Sequence, residues 1–151
     1  MAYIPQRGDI VYLDFDPQSG QKQTGRRPAI VISNNAFNAL SRGAFVCPIT
    51  NTNRGIPLHV QLDSRTKTTG VIMCDQVKAL DMQSRNAALI EKAPRDLVAE
   101  AIDIVVAMIE VLSIPVHRGL GELEWINTAS ARTDTDAVPA LARIWTIVPR
   151  L

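Results

Sequence analysis

Six short apolar runs fill residues 10 to 90, each bounded by glycine, proline, asparagine, aspartate or serine. Runs this short build strands, because a helix needs a longer periodic stretch to bury one face. Ile10 to Phe15 alternates loosely, and Ala29 to Ile32 is a continuous apolar stretch suited to a strand buried on both faces. Ala44 to Ile49 gives a third strand, in which Pro48 implies an edge or a bulge. Leu58, Val60 and Leu62 alternate in a fourth, and Thr69 to Val77 and Ala87 to Ile90 complete the set. Asn34 to Leu40 suits a helical turn. Only after Pro94 does helical spacing take over, through Val98, Ala101, Ile102, Val105, Met108, Ile109 and Leu112, until Pro115 stops it. Ile104, Val106 and Val111 add apolar positions on other faces, so this helix should pack on the sheet and also meet a partner subunit. The expected fold is mainly β with a C-terminal helix.

With 151 residues, 46% of them hydrophobic and 21% charged, the chain suits one globular domain and is not of the disordered class. A net charge of +1 supplies no global cationic field. Nucleic-acid binding would therefore use a local patch, which favours a short single-stranded ligand over long duplex. Cys47 and Cys74 lie inside apolar runs and read as buried thiols, in keeping with a reducing cytoplasm. Neither a secretory pattern nor a bilayer-length apolar stretch is evident, and no His, Cys or Asp cluster has metal-ligand spacing. Residues 113 to 151 change character, rich in alanine, threonine and arginine. They are expected either to be weakly ordered or to dock through Trp125 and Trp145.

Between the first two strands lies a long polar loop with Pro17, Gly20 and Gly25, and it ends in Arg26-Arg27 at the mouth of the second strand. Loops of this length in small domains usually carry function. A guanidinium fork there suits a phosphate better than a core. The matching pieces are Arg7-Gly8-Asp9-Ile10, Asp16-Pro17, Gly20, Gly25-Arg26-Arg27-Pro28, Pro48-Ile49-Thr50, Thr69-Gly70-Val71 and Cys74-Asp75-Gln76-Val77-Lys78. In this order and spacing, residues 7 to 112 resemble the MazF/PemK toxins of bacterial toxin–antitoxin systems. The resemblance implies a small SH3-like β-barrel (MazF/PemK/CcdB-like) over residues 1–112, acting as a homodimer, with 113–151 as an extension beyond the usual family length. It further implies a cytoplasmic, metal-independent endoribonuclease that needs no cofactor, cuts single-stranded RNA (mRNA) at short motifs and is held inactive by a cognate antitoxin.

On that resemblance Arg27 is the family's functional arginine, able to stabilise charge on a phosphorane as the RNA 2′-hydroxyl attacks. The competing reading pairs Arg27 with Asp14 or Asp16. Thr50 matches the functional threonine, whose hydroxyl can donate to a phosphate oxygen, although a threonine opening a turn is commonly a local cap. Arginine hardly deprotonates, so another group must take the 2′-hydroxyl proton, and Asp75 is the candidate; a structural hydrogen bond is its alternative. Substrate contacts are expected from Gln21, Lys22 and Gln23 in the long loop, and from Arg26, Arg54 and Gln76. Phe15 can stack on a base or pack in the core. Gln21 and Lys22 stand where some PemK-type members carry histidine and glutamate, and Met73 where they carry arginine, so the MazF-type arginine–threonine pair is what this chain keeps. A catalytic pair of His59 and His117 is disfavoured, because His59 faces away from the Leu58, Val60, Leu62 register and His117 lies in the tail. Two other classes compete: a non-enzymatic, gyrase-directed toxin resembling CcdB, and a silent RNA-binding regulator.

Overall fold

A computed structural model describes residues 3–15 and 25–109, together with the backbone of Ser113–His117 and Leu123–Asn127. Strands β1 (Asp9–Asp14), β2 (Arg26–Val31) and β3 (Gly43–Thr50) form an antiparallel centre. Around it lie β4 (His59–Gln61), β5 (Val71–Met73), β6 (Lys78–Asp81) and β7 (Ala88–Lys92). The seven strands run in the order β4-β5-β3-β2-β1-β7, with β6 also paired to β3. The expected mainly β fold with a C-terminal helix is what the chain adopts, with a strongly connected antiparallel sheet and α2 (Arg95–Ile109) behind it.

Local chemistry accounts for the elements between strands. Asn34 caps α1 (Asn35–Ser41), its side chain accepting the Phe37 amide at 2.8 Å, so the expected single turn extends to seven residues. Asp96 in the first turn of α2 complements the positive end of that helix. The helix is described to Ile109, and the expected reach to Leu112 lies outside the described residues. Pro115 does not merely end a helix: it sits in β8 (Ser113–His117), opposite Trp125 of β9 (Leu123–Asn127) in a two-stranded antiparallel sheet. Trp145 lies outside the described residues.

Of the two readings of Pro48, an edge or a bulge, the edge is not realised. β3 is not an edge strand but the hub of the sheet, bonded to β2 on one side and to β6 and β5 on the other. On that second side β6 pairs with residues 43–46 and β5 with 49–50, so Pro48 falls in the gap between those two ladders.

Alternation sorts the strands onto two sides. Ile10, Ile30, Cys47, Ile49, Val60 and Ile72 face α2, which buries Leu97, Val98, Ala101, Ile104 and Val105 against them. Each fully buried leucine, isoleucine or valine stabilises by about 1.5–3 kcal/mol. Val11, Leu13, Ala29, Val31, Ala44, Val46 and Met82 make a smaller core on the other side, with Tyr3, Phe15, Leu80 and Ala87 packed at its margin. Both cysteines are free and buried, as expected. Among the described residues no helix is long and apolar enough to cross a membrane.

Candidate active site

The rim of the smaller core gathers the polar side chains. In the β2–β3 ladder Ala29 pairs with Pro48 and Val31 with Val46. Continuing that register by two residues sets Arg27 opposite Thr50, just past the last paired residues and on the same side of the sheet. Thr50 pairs in turn with Val71, and Val71 with Gln61. Arg27, Thr50 and Gln61 thus lie in one row across β2, β3 and β4, on the side away from α2. Leu13, also on this side, is Arg27's neighbour in β1.

Arg27 is half-buried, and among the described residues no group hydrogen-bonds or ion-pairs its guanidinium. The alternative pairing with Asp14 is not made: the Asp14 carboxylate accepts Asn86 Nδ2 at 3.0 Å. Asp16, Gln21, Lys22 and Gln23 lie outside the described residues. Arg26 points to the other side, as neighbours in a strand must. Its Nη2 donates to the carbonyls of Tyr12 at 3.0 Å and Asn86 at 2.7 Å, and its guanidinium lies 5.2 Å from the centre of the Tyr12 ring.

Thr50 holds a local role beside any chemical one, for its Oγ1 accepts the Thr52 amide at 3.2 Å. That bond leaves the hydroxyl proton free to donate elsewhere. Behind Thr50 the fit is tight: a Cβ on Gly70 would lie 2.2 Å from the Thr50 carbonyl oxygen, and Gly70 has φ +112°. Only glycine meets both conditions. The following loop is tied down by Thr69 Oγ1 donating to Asn51 Oδ1 (2.8 Å) and Asn53 Nδ2 donating to Gln61 Oε1 (3.1 Å). Arg54 is exposed within it.

Asp75 occupies a one-turn 3-10 helix (Cys74–Gln76) between β5 and β6. Its Oδ1 lies 2.9 Å from His59 Nε2, and its side chain is 32% exposed, whereas that of His59 is only 5% exposed. Gln76 beside it is exposed. Cys74 beneath is buried, and a hydrogen bond with Cys47 and burial both push its thiol up. Phe15 packs at the margin of the smaller core with Lys78 Nζ 5.8 Å from its ring centre. Among the described residues no group of three or more His, Cys, Asp or Glu side chains is placed to hold a metal ion.

Two further residues share this side. Lys78 pairs with Val46 and so faces the same way, putting a second cation near Arg27's side of the sheet. Its signal was its place directly after Cys74-Asp75-Gln76-Val77. Gln61 was legible as the polar partner of His59 in the alternation against Leu58, Val60 and Leu62.

Comparison with known proteins identifies the family. The family model described as "PemK-like, MazF-like toxin of type II toxin-antitoxin system" matches residues 6–109. The endoribonuclease toxin MazF of Escherichia coli (strain K12) is 33% identical over 110 residues, covering 73% of this chain and 95% of the relative. The crystal structure of MazF from Deinococcus radiodurans superposes with a TM-score of 0.65 at 36% identity, covering 72% of this chain and 98% of that one. A MazE–MazF structure from the same organism gives a TM-score of 0.66 at 36% identity, covering 72% and 97%. A row of Arg27 and Thr50 at the rim of the smaller core, within a chain matched over nearly all of its described core, leads to one conclusion: this chain belongs to the PemK-like, MazF-like toxin family of type II toxin–antitoxin systems.

Proposed function

We propose that the chain is a toxin endoribonuclease that cuts single-stranded RNA at short sequence motifs without a metal or other cofactor. The observation that carries this reading is Arg27, half-buried and without a described partner, set in one row with Thr50 at the rim of the smaller core. The RNA supplies its own nucleophile. Its 2′-oxygen attacks the adjacent phosphorus, the P–O5′ bond breaks, and the products carry a 2′,3′-cyclic phosphate and a 5′-hydroxyl. Arg27 holds the charge that grows on the non-bridging oxygens, and Thr50 donates its hydroxyl proton to one of them. Asp75 takes the 2′-hydroxyl proton, and a solvent proton goes to the departing 5′-oxygen. Gln21, Lys22, Gln23, Arg54 and Gln76 read the bases, with Phe15 and Arg26 at the margins. Residues 1–112 form the working unit, a homodimer restrained by a cognate antitoxin in the cytoplasm, and 113–151 extend it. The named MazF and PemK relatives are endoribonucleases, and MazF of Deinococcus radiodurans has been solved with MazE, which supports both halves of the reading.

The test incubates wild-type and Arg27→Ala protein with a long single-stranded RNA in EDTA and maps the ends. Discrete cuts with 5′-hydroxyl ends, slowed about 10³-fold in the variant, are expected. Intact RNA with the wild type would overturn the nuclease reading in favour of a gyrase-directed or RNA-binding protein. Cleavage abolished by EDTA would overturn its metal independence.

A further inference from the structure

The hydrogen bond between His59 and Asp75 has no part in the scheme above. We propose that His59 is a positioning residue that fixes the Asp75 carboxylate at the RNA-facing rim; the inference rests on the nuclease reading and deepens it. His59 cannot touch RNA itself, since its side chain is 5% exposed and sits against Met73 in the β4–β5 ladder. Its Nε2 reaches Asp75 Oδ1 at 2.9 Å. An ionised carboxylate only accepts, so Nε2 carries the proton and donates. The other nitrogen, Nδ1, is buried, and among the described residues nothing hydrogen-bonds it. An unsatisfied buried nitrogen lowers stability, and a ring needed only for packing would be better as phenylalanine. The bond to Asp75 is what the imidazole supplies and an apolar ring does not.

The geometry shows why Asp75 needs such a hold. It stands on a turn of three residues between two strands that pair with β3, with no ladder bond of its own in β5 or β6. One carboxylate oxygen is clamped from beneath by His59. The partly exposed group then presents its other oxygen to a proton on the substrate. Misplacing a catalytic group by about an ångström costs on the order of 10²-fold in rate.

The experiment compares His59→Phe, His59→Gln, Asp75→Asn and the His59→Phe/Asp75→Asn double variant on a short RNA containing the cut site, with folding followed by circular dichroism. Expected results are a 10- to 100-fold fall in kcat for His59→Phe with KM little changed, recovery of most of it by His59→Gln, whose amide donates from a similar place, and no added loss in the double variant over Asp75→Asn. A merely structural role would move stability without that split, rescue or non-additivity. Full activity of a folded His59→Phe beside a slow Asp75→Asn overturns the proposal and leaves the nuclease reading standing. Full activity of Asp75→Asn overturns the proposal together with the role given to Asp75. No cleavage by the wild type overturns the nuclease reading and the proposal with it. If His59→Phe does not fold, the imidazole ¹⁵N shifts of the wild type decide. Movement on saturation with an uncleavable 2′-O-methyl RNA supports the proposal, and unmoved shifts overturn it.

Discussion

The two sides of this sheet use the same strands for opposite ends. Towards α2, side chains from most strands of the sheet converge on one apolar layer that the helix closes. On the other side the apolar patch is smaller, and its rim is occupied by Arg27, Thr50, Gln61, His59 and Lys78. Adjacent residues of one strand therefore serve different purposes, Ile30 joining the layer that α2 closes while its neighbour Ala29 lies in the smaller core that the polar rim borders. Strand alternation thereby separates the main core from the polar rim.

Three substitutions or conditions test how complete that separation is. The largest effect is expected at Gly70, where the two sides meet. Gly70→Ala combines a backbone conformation unfavourable to side chains with a Cβ driven into the Thr50 carbonyl. It should cost about 4 kcal/mol in urea unfolding and also slow RNA cleavage by the folded remainder. A variant that loses stability yet cleaves normally would show that Thr50 tolerates displacement. Next in size is Ile72→Ala, which removes a fully buried side chain facing the helix and should cost about 3 kcal/mol while leaving the rate per folded molecule unchanged. A fall in that rate would break the separation outright.

The smallest effect concerns charge on the helix side. Arg65 holds the Asp63 and Asp96 carboxyls below the usual carboxylate range through its hydrogen bonds, linking the β4–β5 loop to the start of α2. Burial alone would push Glu91 up, but the Lys67 and Thr68 amides and the Thr68 hydroxyl outweigh it and hold this carboxyl down as well. A carboxyl lowered by folding contributes stability that is fully present above its unfolded value, about pH 4, and lost as pH falls through its folded value. Urea midpoints should drop between pH 5 and pH 2, and less steeply in Arg65→Ala. Equal acid sensitivity of the two proteins would remove these bonds from the account.

The helix-facing half of the fold was legible in the sequence because period and burial coincide there: Val98, Ala101 and Val105 repeat at helical spacing, and Ile30 sits in an unbroken apolar run. β6 was not, since Lys78–Asp81 carries too few apolar residues to stand out and exists as a strand only through β3. Pro48 misled for a related reason. Its missing donor excludes one partner at one position, and sequence does not say that two strands share the other positions along that flank. At the site, Arg27 and Thr50 stood out by motif, but their common row depends on the β2–β3 register, which is long-range. The His59–Asp75 bond joins β4 to the turn after β5, and alternation alone said only that His59 looked away from the helix.

The fork at Pro48 also sets how far along the chain each part of the site must reach. The turn bearing Asp75 lies between β5 and β6, which both dock on β3, whereas Arg27 and Thr50 are aligned by the β2–β3 ladder. Pairings between segments distant in sequence form late, since closing their loops costs entropy before any contact repays it. The support of the proposed base at Asp75 therefore depends on pairings wider in sequence than the ladder that aligns Arg27 with Thr50.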